Sequence, residues 1–202
     1  ALYHSQSIEA TFAHIPGLKV VAPGTPADAK GLLKAAIRDP DPVLYLEHKR
    51  TYRLVKGEVP NGDHVVPIGK ADVKREGKDV SLIAYGLMLT FCLEVAEKLA
   101  GEGVSAEVLD LRTIKPIDRD AIIATARKTG KVLVVHEDTP FAGVAAEVMA
   151  IIMENAFDAL DAPVMRVTGP DVPAMPFNHV LEEAFMPSPE KILAKARELA
   201  AL

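Results

Sequence analysis

The stretch that decides the fold is Leu18–Glu47, LKVVAPGTPADAKGLLKAAIRDPDPVLYLE. Leu18-Lys19-Val20-Val21-Ala22 is a short β-branched run and reads as a buried strand. Thr25-Pro26-Ala27-Asp28 then supplies a helix N-cap, a proline at the first helical position and an acid in the first turn. Ala29, Leu32, Leu33, Ala36 and Ile37 recur at helical spacing, which gives the helix one face to lay on a sheet. Asp39-Pro40-Asp41-Pro42 stops it, and Val43-Leu44-Tyr45-Leu46-Glu47 is the next strand. The result is a β-α-β unit with an expected right-handed crossover.

Outward from this unit the same alternation continues. Residues 5–15 look helical until Pro16-Gly17 breaks them. From 51 to 79 glycine, proline and charge replace any core-sized apolar stripe, so this segment reads as a linker. Beyond it come strands at 80–85, 105–110, 131–136 and 163–168, with helices at about 89–101, 118–128 and 143–160 between them. A last helix starts at the cap-and-proline pair Ser188-Pro189. The pattern predicts an α/β fold with a mainly parallel sheet flanked by helices. Residues 80–202 could bury a core alone, whereas 1–50, with two strands, reads as part of a larger sheet.

Composition removes several function classes. The 202 residues carry 23 Lys and Arg against 28 Asp and Glu, a net charge of −5, and the cations are scattered. No basic field exists for duplex nucleic acid or an anionic membrane, and no apolar run approaches the roughly 20 residues a membrane span needs. The single cysteine, Cys92, excludes an intrachain disulfide and a cysteine zinc cluster. Neither GxGxxG nor a P-loop occurs, and GxSxG, HxxxH and HExxH are absent. A self-sufficient nucleotide site, a serine hydrolase and a zinc enzyme are all disfavoured.

Of the six histidines, His48 and His64 fall in or beside the charged connector, and His14 near a helix end. His136 closes an apolar strand before Glu137-Asp138, at the strand end where α/β proteins place ligands; the competing reading is a locally hydrogen-bonded strand-end imidazole. His4 precedes two plausible helix caps, Ser5 and Ser7. The Asp39 and Asp41 carboxylates beside a helix end admit two readings, an oxygen-rich cation pocket and a simple helix stop.

Seven blocks together carry a resemblance. They are LYHSQS (2–7), PGLKVV (16–21), DAKGLL (28–33), IRDPDP (37–42), LEHK (46–49), EVLDLRTIKP (107–116) and LDAPVMRVTG (160–169). In order and spacing across the chain they resemble the β subunit of thiamine-diphosphate-dependent 2-oxo acid dehydrogenases, the E1 components. The resemblance implies that residues 1–50 end a pyrimidine-binding, transketolase-like domain. Residues 51–79 would then be a linker, and 80–202 a transketolase C-terminal domain. It implies that the segment bearing the glutamate of the cofactor's aminopyrimidine lies upstream, so the chain is expected to be a fragment.

By motif, His4 corresponds to the family's HSQS histidine, implicated in proton transfer as the acyl group passes to the lipoyl arm; imidazole suits that task near neutral pH. Ala36, Asp39 and Asp41 correspond to the place where the family holds a monovalent cation, K⁺. For His136 the resemblance favours a structural role. The Pro170–Pro187 loop, with Met175, Phe177, Phe185 and Met186, is expected to supply contact area. The implied reaction is decarboxylation of a 2-oxo acid on thiamine diphosphate and Mg²⁺, bound between α and β subunits. The acyl group then passes to lipoyl-lysine of E2. Partners would be an E1 α subunit, a second β subunit, the E2 acyltransferase core and the small 2-oxo acid. Glu47-His48-Lys49-Arg50 and Pro67-Ile68-Gly69-Lys70-Ala71 look closer to the branched-chain type than to the pyruvate or acetoin types. The expected location is the cytoplasm, or the mitochondrial matrix in a eukaryote. The competing reading is a non-catalytic assembly or docking module.

Overall fold

The computed structural model describes residues 6–173 and 175–202. The chain opens with a short helix α1 (Glu9–Ala13), strand β1 (Lys19–Val21), helix α2 (Pro26–Arg38) and strand β2 (Val43–Tyr45). β1 and β2 pair in parallel, Lys19 opposite Val43 and Val21 opposite Tyr45, with α2 as the crossover between them. Thr25 caps α2 as its sequence requires: its hydroxyl accepts from the Asp28 N–H and donates to the Asp28 carboxylate at 2.6 Å.

The segment 51–79 contains two elements, helix α3 (Thr51–Leu54) and strand β3 (Asp72–Arg75). Strand β4 (Val80–Ala84), helix α4 (Leu87–Gly101), strand β5 (Ala106–Asp110), strand β6 (Thr113–Lys115), helix α5 (Arg119–Thr129) and strand β7 (Val132–Val135) follow. Helix α6 (Val144–Asn155), strand β8 (Met165–Val167), helix α7 (His179–Phe185) and helix α8 (Pro189–Ala200) complete the chain. The larger sheet has the order β3-β5-β4-β7-β8. β5-β4-β7-β8 are parallel, and β3 pairs antiparallel with β5 at the edge.

Both faces of this sheet are covered, which is why its central strands read as unbroken apolar runs. On one face Leu82, Ala84, Leu133 and Val135 pack with α4 and α8; on the other Ile83, Val132 and Val134 pack with α5 and α6. Cys92 is buried in the first of these cores. Val20 and Ala22 of the small sheet join the second core.

The two halves are sewn together by β6. It adds to the small sheet antiparallel to β1, with Val20 opposite Lys115, giving the order β2-β1-β6. Lys115 also donates to the carbonyl of Ala13 at 2.7 Å. β6 has only three residues and ends at Pro116, so it carries no periodic signal. It forms because β1 would otherwise leave an edge unpaired.

Candidate functional site

Parallel strands deliver their carboxyl ends to one side of a sheet, and that is where this fold opens a cleft. A cavity of about 840 Å³ lies where Ala22 after β1, Leu46 to His48 after β2, Tyr85 and Gly86 after β4, and Glu137 and Asp138 after β7 converge. α1 contributes Glu9, and Met175, Phe185 and Met186 close the apolar side.

The polar side is acidic. His48 Nε2 lies 3.0 Å from Glu137 Oε2, joining residues 89 apart in sequence from the two halves of the chain. Burial disfavours the imidazolium, but the hydrogen bond to Glu137 and the charges of Glu137 and Glu9 outweigh it, and the His48 pKa rises. Among the described residues Glu9 Oε2 is buried without a hydrogen-bond partner. Burial, opposed by a hydrogen bond from its own backbone N–H and reinforced by Asp138 and Glu137, pushes its carboxyl from 4.5 up to about 7. Asp138 is also raised by burial, against the hydrogen bonds it accepts from the Thr139 and Ala10 backbone.

Beneath the cleft floor Tyr85 is 5% exposed, and its hydroxyl finds no partner. Burial and the charges of Glu9, Asp138 and Glu137 hold its pKa well above the ordinary value, so it keeps its proton. His136 stacks on Tyr85 with ring centroids 6.4 Å apart. His136 is fully buried and neither ring nitrogen finds a partner; burial lowers its pKa to about 4, so the imidazole is neutral.

The structure brings Asp39 and Asp41 together, and it does so on an ammonium. Lys19 Nζ lies 2.7 Å from Asp39 and 3.0 Å from Asp41, while the Ala36 carbonyl accepts the Asp39 N–H at 3.4 Å. His4 lies outside the described residues. Of the apolar loop residues, Met175 and Phe185 pack on the core and Met186 is buried, but Phe177 is 87% exposed. Sequence reasoning passed over His48 and Glu9. His48 lies three residues past the carboxyl end of β2, a signal the charged surroundings obscured; Glu9 sits on a short helix with no positional signal. Among the described residues no group of three or more His, Cys, Asp or Glu side chains is placed to hold a metal ion, and no helix is long and apolar enough to cross a membrane.

A parallel-sheet domain behind the end of a second sheet, with a cleft between their strand ends, is matched at family level. Residues 69–192 match the transketolase C-terminal domain, and residues 1–55 match the transketolase pyrimidine-binding domain. The chain belongs to the transketolase C-terminal-domain family. The 69–192 match takes in β3, which the structure also places in the larger sheet. This transketolase-family chain is 60% identical over 200 residues to the 2-oxoisovalerate dehydrogenase subunit beta of Bacillus subtilis, covering 99% of this chain and 61% of that protein. It is 48% identical to the pyruvate dehydrogenase E1 component subunit beta of the same organism, over 97% of this chain and 60% of that one. An acetoin:2,6-dichlorophenolindophenol oxidoreductase subunit beta from Bacillus subtilis is 46% identical, over 98% and 58%. Among solved structures, a split-gene transketolase described as an inactive β4 tetramer superposes with a TM-score of 0.81 at 29% identity, covering 96% of this chain and 61% of that one. The chain thus spans about three-fifths of the length of the relatives it matches.

Proposed function

We propose that the chain is part of the β subunit of a 2-oxo acid dehydrogenase E1 component of the branched-chain type. The observation that carries this is 60% identity to a 2-oxoisovalerate dehydrogenase β subunit along almost the whole chain, against 46–48% to the acetoin and pyruvate relatives. The reading includes assembly with an E1 α subunit and a second β subunit, and delivery of an acyl group to lipoyl-lysine of E2. Thiamine diphosphate, when bound with Mg²⁺ between α and β subunits, supplies the electron sink for decarboxylation. The described residues offer neither a glycine-rich phosphate cradle nor a metal cage, so the diphosphate end is assigned to other parts of the assembly.

What this chain's own residues do is narrower. The apolar wall of Met175, Phe185 and Met186 excludes water from one side of the cleft. The His48–Glu137 contact ties the two halves of the chain together at the cleft, and Glu137 raises the His48 pKa. His4, by its motif, moves the proton of acyl transfer. The carbonyl of Ala36 and the carboxylates of Asp39 and Asp41 are proposed to hold K⁺ in competition with the Lys19 ammonium, which already neutralises both carboxylates.

The test is turnover by the full-length β subunit reconstituted with its α subunit, cofactor and a lipoyl-bearing E2. 2-Oxoisovalerate should be used far better than pyruvate; the reverse preference would overturn the branched-chain assignment. A second reading, a non-catalytic self-assembling module, draws on the inactive β4 tetramer among the structural neighbours. Sizing the isolated chain by light scattering distinguishes them, since a tetramer that persists when α is added favours the module.

A further inference from the structure

The cleft combines unused donors with an unused acceptor. The donors lie at the start of α4, whose N-cap is Gly86 with a left-handed φ of 56°. No side chain caps this helix, and its first turn carries no acid. The leading N–H groups of a helix have no intrahelical acceptor, and they carry the positive end of its dipole. Gly86, Leu87 and Met88 line the cavity, and a Cβ built on Gly86 would meet nothing within 4 Å, so this end of α4 opens on free space. Another donor comes from the preceding residue. Tyr85 also lines the cavity and is 5% exposed, and its hydroxyl has no partner among the described residues. A helix start and a buried phenol O–H together suit a carboxylate.

The acceptor lies on α1. The Glu9 carboxyl takes a hydrogen bond from its own backbone N–H, and its Oε2 is buried without a partner among the described residues. The neighbouring acids are engaged, Glu137 with His48 at 3.0 Å and Asp138 with the Thr139 N–H at 2.7 Å. Lys49 and Arg50 line the same cleft, but both are exposed, and no hydrogen bond from either reaches Glu9 Oε2. A buried carboxylate oxygen so placed calls for a donor that brings positive charge. The rest of the wall includes the apolar side chains of Leu46, Leu87, Met88, Phe185 and Met186.

We propose that the cleft binds an apolar α-amino acid as its zwitterion. The carboxylate sits on the first turn of α4 and the Tyr85 hydroxyl, the ammonium on Glu9, and the side chain on the apolar wall. An anion alone would face the acids of the cleft, and a cation alone would face the positive end of α4; a zwitterion suits both. The cavity of about 840 Å³ has room for it. The assignment needs only the cleft and does not rest on the proposed E1 reading. An ammonium favours the ionised form of Glu9, so binding expels the proton that burial leaves on it near neutrality. The other titratable groups facing the cleft are Glu47 and His48 at the β2 end, Tyr85 with His136 stacked behind it, Glu137 and Asp138, and Glu182 of α7. Glu9→Gln separates the Glu9 proton from theirs.

The test is calorimetric titration of the full-length β subunit assembled with α, using L-leucine as the probe. Isopentylamine, which lacks the carboxylate, and isocaproate, which lacks the ammonium, are titrated beside it. L-Leucine should bind at least about tenfold more tightly than either, and its binding should release protons to the buffer near neutral pH. Tyr85→Phe and Glu9→Gln should each weaken it about tenfold, with the proton release lost only in Glu9→Gln. A single-charge analogue that binds as well as L-leucine would overturn the assignment, as would an unchanged affinity in either variant. No binding of L-leucine at about 10 mM would leave the cleft to ordered water and overturn it too. The readout is binding, so an assembly that binds L-leucine in this way and turns over no 2-oxo acid would support the assignment and overturn the proposed function alone.

Discussion

Arg112 Nη1 lies 3.0 Å from Asp28 Oδ1, and this contact between residues 84 apart bolts the start of α2 to the loop between β5 and β6. Both side chains are almost fully buried. Arg112 has a left-handed backbone, φ 54°, and its guanidinium also donates to the carbonyls of Lys70 and Ala71 at 3.1 Å. Lys74 adds a second cation to Asp28 at 2.6 Å. Burial works against the Asp28 carboxylate, but its bonds from Lys74, Thr25 and Arg112 prevail and its pKa falls. Beside them Asp110 is fully buried, and burial pushes it up to about 7.

Removing Asp28 leaves Arg112 and Lys74 with the partly exposed Asp72, at 3.6 and 2.6 Å, as their remaining paired carboxylate and takes away the buried one. Asp28→Asn should therefore destabilise the protein by about 3 kcal/mol or more, read from urea unfolding at pH 7. The depressed Asp28 pKa stabilises the fold above the ordinary aspartate range and loses that stabilisation as pH falls through the folded value. The deficit of the variant should accordingly shrink in acid. A loss below about 0.5 kcal/mol at pH 7 would mean the contact behaves as a surface pair.

Glu9 has the opposite linkage. Its folded pKa of about 7 exceeds the ordinary 4.5, so the folded state binds the proton more tightly than the unfolded chain. The cost of ionisation is absent below the ordinary value, grows between the two values and is complete above the folded one. Glu9→Gln should match the native protein at pH 4 and exceed its stability at pH 8 by on the order of 3 kcal/mol. A pH-independent difference between the two would show that Glu9 is solvated.

Three glycines separate close approach from spare room. A Cβ on Gly77 would run into the backbone of Ala106 and Glu107, and one on Gly143 would lie 2.9 Å from His136 Cε1 and against the Thr139 carbonyl, whereas Gly101 has open space. Gly77→Ala and Gly143→Ala should each cost about 1–3 kcal/mol, while Gly101→Ala, at the last residue of α4, should be neutral or stabilising by less than about 1 kcal/mol. Thermal melts of the three variants side by side check this, and equal melting temperatures would contradict the packing.

Lys19 and a monovalent cation compete for the same two carboxylates in the proposed site. Lys19→Met should make the melting temperature rise with K⁺ relative to choline at equal ionic strength, and more steeply than in the native protein. Identical salt responses would remove Ala36, Asp39 and Asp41 from cation binding.

Much of the fold was legible locally, because the signals that make it are local. Thr25-Pro26 starts α2, Ser188-Pro189 starts α8, and the apolar runs at 80–84 and 132–135 can only be strands buried on both faces. β3 and β6 were not legible. They are short, and they exist because β5 and β1 present unpaired edges to them. The site divides in the same way. Composition and missing motifs disfavoured nucleic acid, hydrolase and zinc chemistry, and the resemblance of seven sequence blocks pointed to the transketolase-like E1 family. Only the tertiary structure decided that His48 meets Glu137, that His136 is a buried neutral ring, and that Glu9 Oε2 is buried without a partner among the described residues. A helix or a buried strand follows from a chain's nearest neighbours in sequence, whereas desolvation and charge pairing depend on which distant residues the fold brings within a few ångströms.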